Sequence, residues 1–205
     1  MDQVNIEKSS HKFFERFLDN DLVALDNYLH GVYHAMRLNW WFGDPSLEDV
    51  GMQSDVTKRY NIFTFDNKEI KKLKESIVEM VKEASEYYGY DYNHQDYKIT
   101  GWFNLWKNLG VTPIEDKQWH FHDKVGAPHF HGYYSINAEP SITHYRIFGK
   151  EFNNINKNNR VILSETGHEH APGDWVENFD RITLAFDIMP AKHIGWEDVS
   201  KWITL

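Results

Sequence analysis

Near residue 97 the spacing of apolar residues changes from three-and-four to two, and that change limits the folds open to this chain. Before it, residues 11–18 and 22–29 carry apolar side chains at helical spacing. The clearest helix is predicted over about 67–88, with Asp66-Asn67 as N-cap and Gly89 as C-cap. Ile70, Leu73, Ile77, Met80, Val81 and Ala84 form its single apolar stripe. After the change, aromatic and β-branched residues alternate in segments 97–106, 118–122, 131–137, 143–148, 160–163 and 181–188. Gly-Ala-Pro (126–128), Ala-Glu-Pro (138–140), the Asn-rich stretch 153–159 and Ala-Pro-Gly-Asp (171–174) separate them. Helices followed by many short strands predict an α+β chain in which a sandwich or barrel, such as a double-sheet jelly roll, is backed by helices. At 205 residues the expectation is one domain, with the helices as support and without chemistry of their own.

Composition removes several classes of function. The chain has no cysteine, which excludes disulfide scaffolds, thiol nucleophiles and Cys-based metal sites. A net charge of −9 disfavours a generic phosphate-backbone binder, so no nucleic-acid partner is expected. No apolar run approaches the length of a membrane helix, and the start lacks a signal-peptide layout. The expectation is a soluble, cytoplasmic protein with no membrane partner. What stands out is 12 histidines without cysteine, a balance that favours hard or borderline metals held by imidazole and carboxylate.

Position narrows those histidines. In Trp119-His120-Phe121-His122-Asp123, a strand puts His120 and His122 on one face, giving two adjacent coordination positions. A third ligand is available in Ser164-Glu165-Thr166-Gly167-His168-Glu169-His170, where two histidines again share a strand face and either could reach the ion. In Arg181-Ile182-Thr183-Leu184-Ala185-Phe186-Asp187, Ile182, Leu184 and Phe186 take one face while Arg181 and Thr183 share the other. An arginine beside a hydroxyl inside a barrel is a fork suited to a carboxylate. The plainer alternatives are surface histidines on an edge strand, and an Arg181 paired with Asp180 or Asp187.

The ordered set Trp102-x-Asn104, Gly110, His120-x-His122, Gly132-Tyr133-Tyr134, His168-x-x-x-Pro172, Arg181-x-Thr183 resembles the Fe(II)/2-oxoglutarate-dependent oxygenases, in their bacterial and phage branch and more distantly the prolyl hydroxylases. The resemblance covers about residues 98–190. It implies a double-stranded β-helix (a jelly-roll, cupin-like fold) that binds Fe(II) and 2-oxoglutarate. His120 would be the first ligand, His168 the distal one, and Arg181 with Thr183 the carboxylate anchor. The common His-x-Asp or His-x-Glu is His-x-His here, which leaves His122 or Asp123 as second ligand; strand parity favours His122. His170 is the alternative to His168.

Around these, His131, Tyr133 and Ser135 are candidate cofactor contacts, and Trp102, Asn104 and Trp119 candidate substrate-pocket residues. The implied activity is oxidation of a C–H bond in a small molecule or a protein side chain. Two other readings differ in class: a three-His cupin-type metalloenzyme without 2-oxoglutarate, and a jelly-roll binding module without catalysis. Arg181 discriminates against the first, which has no need of a buried cation at that spacing, and the second predicts no metal at all.

Overall fold

Residues with period two pair into two antiparallel sheets, in a computed structural model that describes residues 11–40, 60–106, 119–122, 129–194 and 201–205. The elements are β1 (Phe14–Phe17), α1 (Leu22–Trp40), α2 (Lys68–Tyr88), β2 (Tyr97–Trp106), β3 (Phe130–Asn137), β4 (Ile142–Ile147), β5 (Lys150–Ile155), β6 (Arg160–Glu165), β7 (Glu169–Pro172), β8 (Arg181–Pro190) and β9 (Ile203–Thr204). The larger sheet has the order β1-β6-β3-β8-β2-β9 and the smaller β5-β4-β7. An isolated bridge between His120 and His170 adds the segment 119–122 beside β7. Apart from the β4–β5 hairpin, successive strands from β2 to β8 therefore alternate between the sheets. That alternation is a double-stranded β-helix.

Parity divides the core in two. Outward residues of the larger sheet, including Ile99, Phe103, Phe130, Tyr134, Leu163, Leu184 and Phe186, bury against Leu25, Leu29 and Tyr33 of α1 and the stripe of α2. All six stripe residues of α2 are buried, Asn67 caps its N-terminus, and Gly89 closes it in the left-handed region at φ 74°. Inward residues form a smaller cluster of Trp102, Tyr133, Tyr145, Ile147, Ile162 and Ala185. The helix side thus carries most of the apolar burial, and the space between the sheets holds the polar groups.

Gly132 allows the close packing of β3 between β6 and β8. A Cβ there would sit 2.4 Å from Ile162 O and 2.4 Å from Phe186 Cζ. Among the described residues no helix is long and apolar enough to cross a membrane.

Two expectations need correction. Residues 11–18 read as helical, yet Phe14–Phe17 is a strand on the edge of the larger sheet, paired with β6 from Phe14↔Leu163 to Phe17↔Arg160. Phe14 faces the helix-side core while Phe13 packs against the inner cluster, so two adjacent aromatics serve opposite faces. The Asn-rich turn at 153–159 also begins later than expected, because β5 extends to Ile155 and pairs with β4 throughout. Both are edge strands, and the pairing of β1 depends on a partner remote in sequence. The expected turn at 126–128 lies outside the described residues.

Candidate metal centre

The site forms where β7, β3 and β8 meet the segment 119–122. His120 N donates to His170 O at 3.0 Å, and His170 N donates to His120 O at 2.8 Å. This two-bond bridge holds the His-x-His segment against β7, so the rings of His120 and His170 have centroids 4.3 Å apart. His122 follows on the same side, and its ring lies nearly parallel to that of His170, 5.1 Å away. Ring nitrogens of His120, His122 and His170 all lie within 4.8 Å of one another, a three-imidazole set able to hold one metal ion.

His170 and not His168 completes this set. His168 lies in a bend before β7, where strand parity no longer applies, and its ring packs edge-on against His11 at 3.9 Å. His168 does line the cleft beside the centre, whose walls include His122, His131, Tyr145 and His170. Asp123, the alternative second ligand, lies outside the described residues, as does Gly110.

A second set shares His122. Asp187 sits directly across from His131 in the β3–β8 register. Its Oδ1 is 2.7 Å from His131 Nδ1 and its Oδ2 is 3.1 Å from His122 Nδ1. Ligand atoms of His122, His131 and Asp187 also lie within 4.8 Å of one another, two imidazoles and one carboxylate. Sequence reasoning missed Asp187 as part of the centre, although the signal was there. Arg181, Thr183, Ala185 and Asp187 share one parity, so the face that carries the arginine carries the carboxylate too.

Burial favours the neutral imidazole at His131 and His170. Burial lowers His131 to about 4, with the charge of His122 acting the same way and the hydrogen bond to Asp187 opposing. Burial, reinforced by His131, His120 and His122, places His170 well below its ordinary value. Burial would push the Asp187 carboxyl up, but the hydrogen bonds from His122 and His131 hold it well below the usual carboxylate range. Neutral imidazoles have the lone pairs that a metal needs.

At the other end of the inward face of β8, Arg181 is buried and Nε donates to Ser141 Oγ at 2.9 Å. That oxygen also accepts from Asn156 Nδ2 at 2.8 Å. No carboxylate of the described residues lies within 4.0 Å of Arg181: Asp180 pairs with His30 at 3.0 Å and Asp187 with the histidines. Burial pulls the guanidinium down to about 10, which still leaves it charged at neutral pH. Thr183 is buried on the same face, where Asn104 Nδ2 donates to Thr183 Oγ1 at 3.4 Å. Ser135 pairs with Thr183 in the β3–β8 register, and its buried hydroxyl has no hydrogen-bond partner among the described residues. Tyr133 is buried as well, its hydroxyl donating to Asn156 Oδ1 at 2.9 Å.

The tryptophans separate. Trp102 points inward and stacks on His122 at 5.7 Å. Trp119, expected at the substrate pocket, instead lies over the guanidinium of Arg146, 3.9 Å from its ring. The cause is again parity: in an extended segment Trp119 and Phe121 take the face opposite to His120 and His122, and Phe121 is 53% exposed.

Solved structures share this architecture. A Pseudomonas putida prolyl-4-hydroxylase superposes with a TM-score of 0.53 at 13% identity, over 90% of this chain and 95% of that one. The non-heme alpha ketoglutarate dependent epimerase SnoN from nogalamycin biosynthesis gives 0.54 at 10% identity, over 88% and 78%. This chain also spans half the length of the nickel-bound non-heme monooxygenase ThoJ, with a TM-score of 0.41 at 11% identity over 56% of this chain. No family model and no curated protein matches the chain. At these identities the likeness is one of fold, and the double-stranded β-helix is what it establishes.

Proposed function

We propose that this chain is an oxygenase that uses Fe(II) and 2-oxoglutarate to oxidise a C–H bond of a small molecule or a protein side chain. The observation that carries the reading is the pairing of two features within one barrel. Three imidazoles converge at one end, and at the other a buried guanidinium has no carboxylate partner among the described residues. A buried unpaired cation is costly, so a site built to keep one is built for an anion.

The donor set fits the group. His120, His122 and His170 would hold the iron through ring nitrogens. Arg181, with Thr183 and the buried Ser135 hydroxyl, would take the far carboxylate of 2-oxoglutarate. Three neutral imidazoles leave a divalent ion's charge whole, and a dicarboxylate balances it. Iron with 2-oxoglutarate supplies oxidative decarboxylation coupled to C–H oxidation. This chain's residues bind, orient and exclude water: Trp102 covers His122 on one side, and Tyr145 closes the cleft wall beside His170. Substrate would enter through that cleft. The absence of cysteine accords with a cytoplasmic setting.

Calorimetric titration of 2-oxoglutarate into protein loaded with Mn(II), a redox-silent stand-in, tests the reading. Saturable one-to-one binding that weakens at least tenfold without the metal is expected. Absence of binding to metal-loaded protein would exclude 2-oxoglutarate as cofactor.

A further inference from the structure

Asp187 engages two imidazoles at once, and the chemistry of that contact fixes where their protons are. An ionised carboxylate only accepts hydrogen bonds, and a neutral imidazole carries one N–H. Both contacts are made by Nδ1, at 2.7 Å from His131 and 3.1 Å from His122. Each Nδ1 is therefore the protonated nitrogen, and each Nε2 carries the lone pair.

We propose that Asp187 is a positioning residue outside the coordination sphere: it holds His122 and His131 in the Nδ1–H tautomer and so presents His122 Nε2 to the metal together with His120 and His170. The tautomers follow from the contacts alone; what they serve rests on the metal centre proposed above. Two further observations favour the outer position over direct ligation. Asp187 belongs to the set with His131 but not to the set with His120 and His170, so it stands to one side of the three-imidazole group. Both of its oxygens already face imidazole nitrogens at hydrogen-bond distance. The negative charge that a His-x-Asp motif would supply as a ligand is here supplied from β8 through an imidazole. Carboxylates behind metal-bound histidines orient the ring and raise its basicity.

This arrangement gives His131 a role as well. The β3–β8 register sets it opposite Asp187, and its ring stacks 4.0 Å from that of His122. Its Nε2 is then a fourth unprotonated nitrogen beside the centre, on a residue that lines the cleft.

Long-range 1H–15N correlation spectra of the metal-free protein, with 15N-labelled histidine at mildly alkaline pH, read the tautomers directly. His122 and His131 should each show a protonated Nδ1 and a lone-pair Nε2; a protonated Nε2 on either ring would overturn the proposal without any variant being made. In Asp187→Asn, Co(II) affinity should fall about 10–100-fold, the range for loss of an outer-shell partner, with the visible spectrum at saturation unchanged. A changed saturated spectrum would put Asp187 in the coordination sphere, and unchanged affinity would remove its role. Wild-type protein that takes up no Co(II) would instead overturn the metal centre itself, a result separable from the tautomer measurement.

Discussion

Arg181 concentrates the difference between a 2-oxoglutarate enzyme and any other metal barrel. Replacing it with Ala removes charge-assisted hydrogen bonds worth about 1.5–3 kcal/mol, so 2-oxoglutarate should bind roughly 10–100-fold more weakly, with Mn(II) affinity little changed. Lys keeps the charge but loses the two-pronged geometry, and an intermediate loss is expected. Calorimetry with metal and cofactor titrated separately checks both; equal loss of the two ligands in Arg181→Ala would assign the arginine a structural role.

A second prediction at this scale concerns acid. The folded-state value of His131 is about 4, below the ordinary 6.5 that it recovers on unfolding. A depressed value means that the unfolded chain binds the proton first. Its contribution to the stability of the metal-free protein is therefore complete above about pH 6.5 and is lost as pH falls toward 4. The loss should amount to about 3 kcal/mol for this residue, with His170 acting in the same direction. Urea unfolding midpoints at several pH values between 7.5 and 4 test this; a midpoint that rises on acidification would contradict it.

Elements were legible in the sequence to the degree that their partners were local. The cap, stripe and stop of α2 are encoded within its own residues, and the structure has them where the spacing predicts. Asn67 Oδ1 accepts from Glu69 N at 2.9 Å and Ile70 N at 3.2 Å, so Asn67→Ala should lower stability by about 1 kcal/mol in thermal or urea unfolding. Gly132→Ala should cost more, about 1–3 kcal/mol, because the new methyl meets backbone as well as the Phe186 ring. Strand β1 was not legible, since Phe13, Phe14, Phe17 and Leu18 favour helical spacing over strand alternation. Only the backbone of β6, almost 150 residues away in sequence, decides between them. The candidate site shows the same division. The shared face of His120 and His122 follows from parity, while the choice of His170 over His168 depends on where β7 begins, and the Asp187–His131 contact on the β3–β8 register.

For the whole molecule, the placement of the two cores explains how a chain without cysteine can keep a polar interior. Apolar burial is concentrated between the larger sheet and the two helices, so the space between the sheets can hold Arg181, Thr183, Ser135 and the histidines. The change of period near residue 97 announced both layers, and strand alternation between sheets then brought residues from β2, β3, β7 and β8 around one centre. Anaerobic titration of the protein with Fe(II) and 2-oxoglutarate, followed by visible absorption, tests this assembly most directly. A weak charge-transfer band should appear only when both are present, persist in His168→Ala and vanish in His170→Ala. Iron uptake by the wild-type chain with no band on adding 2-oxoglutarate would contradict the account.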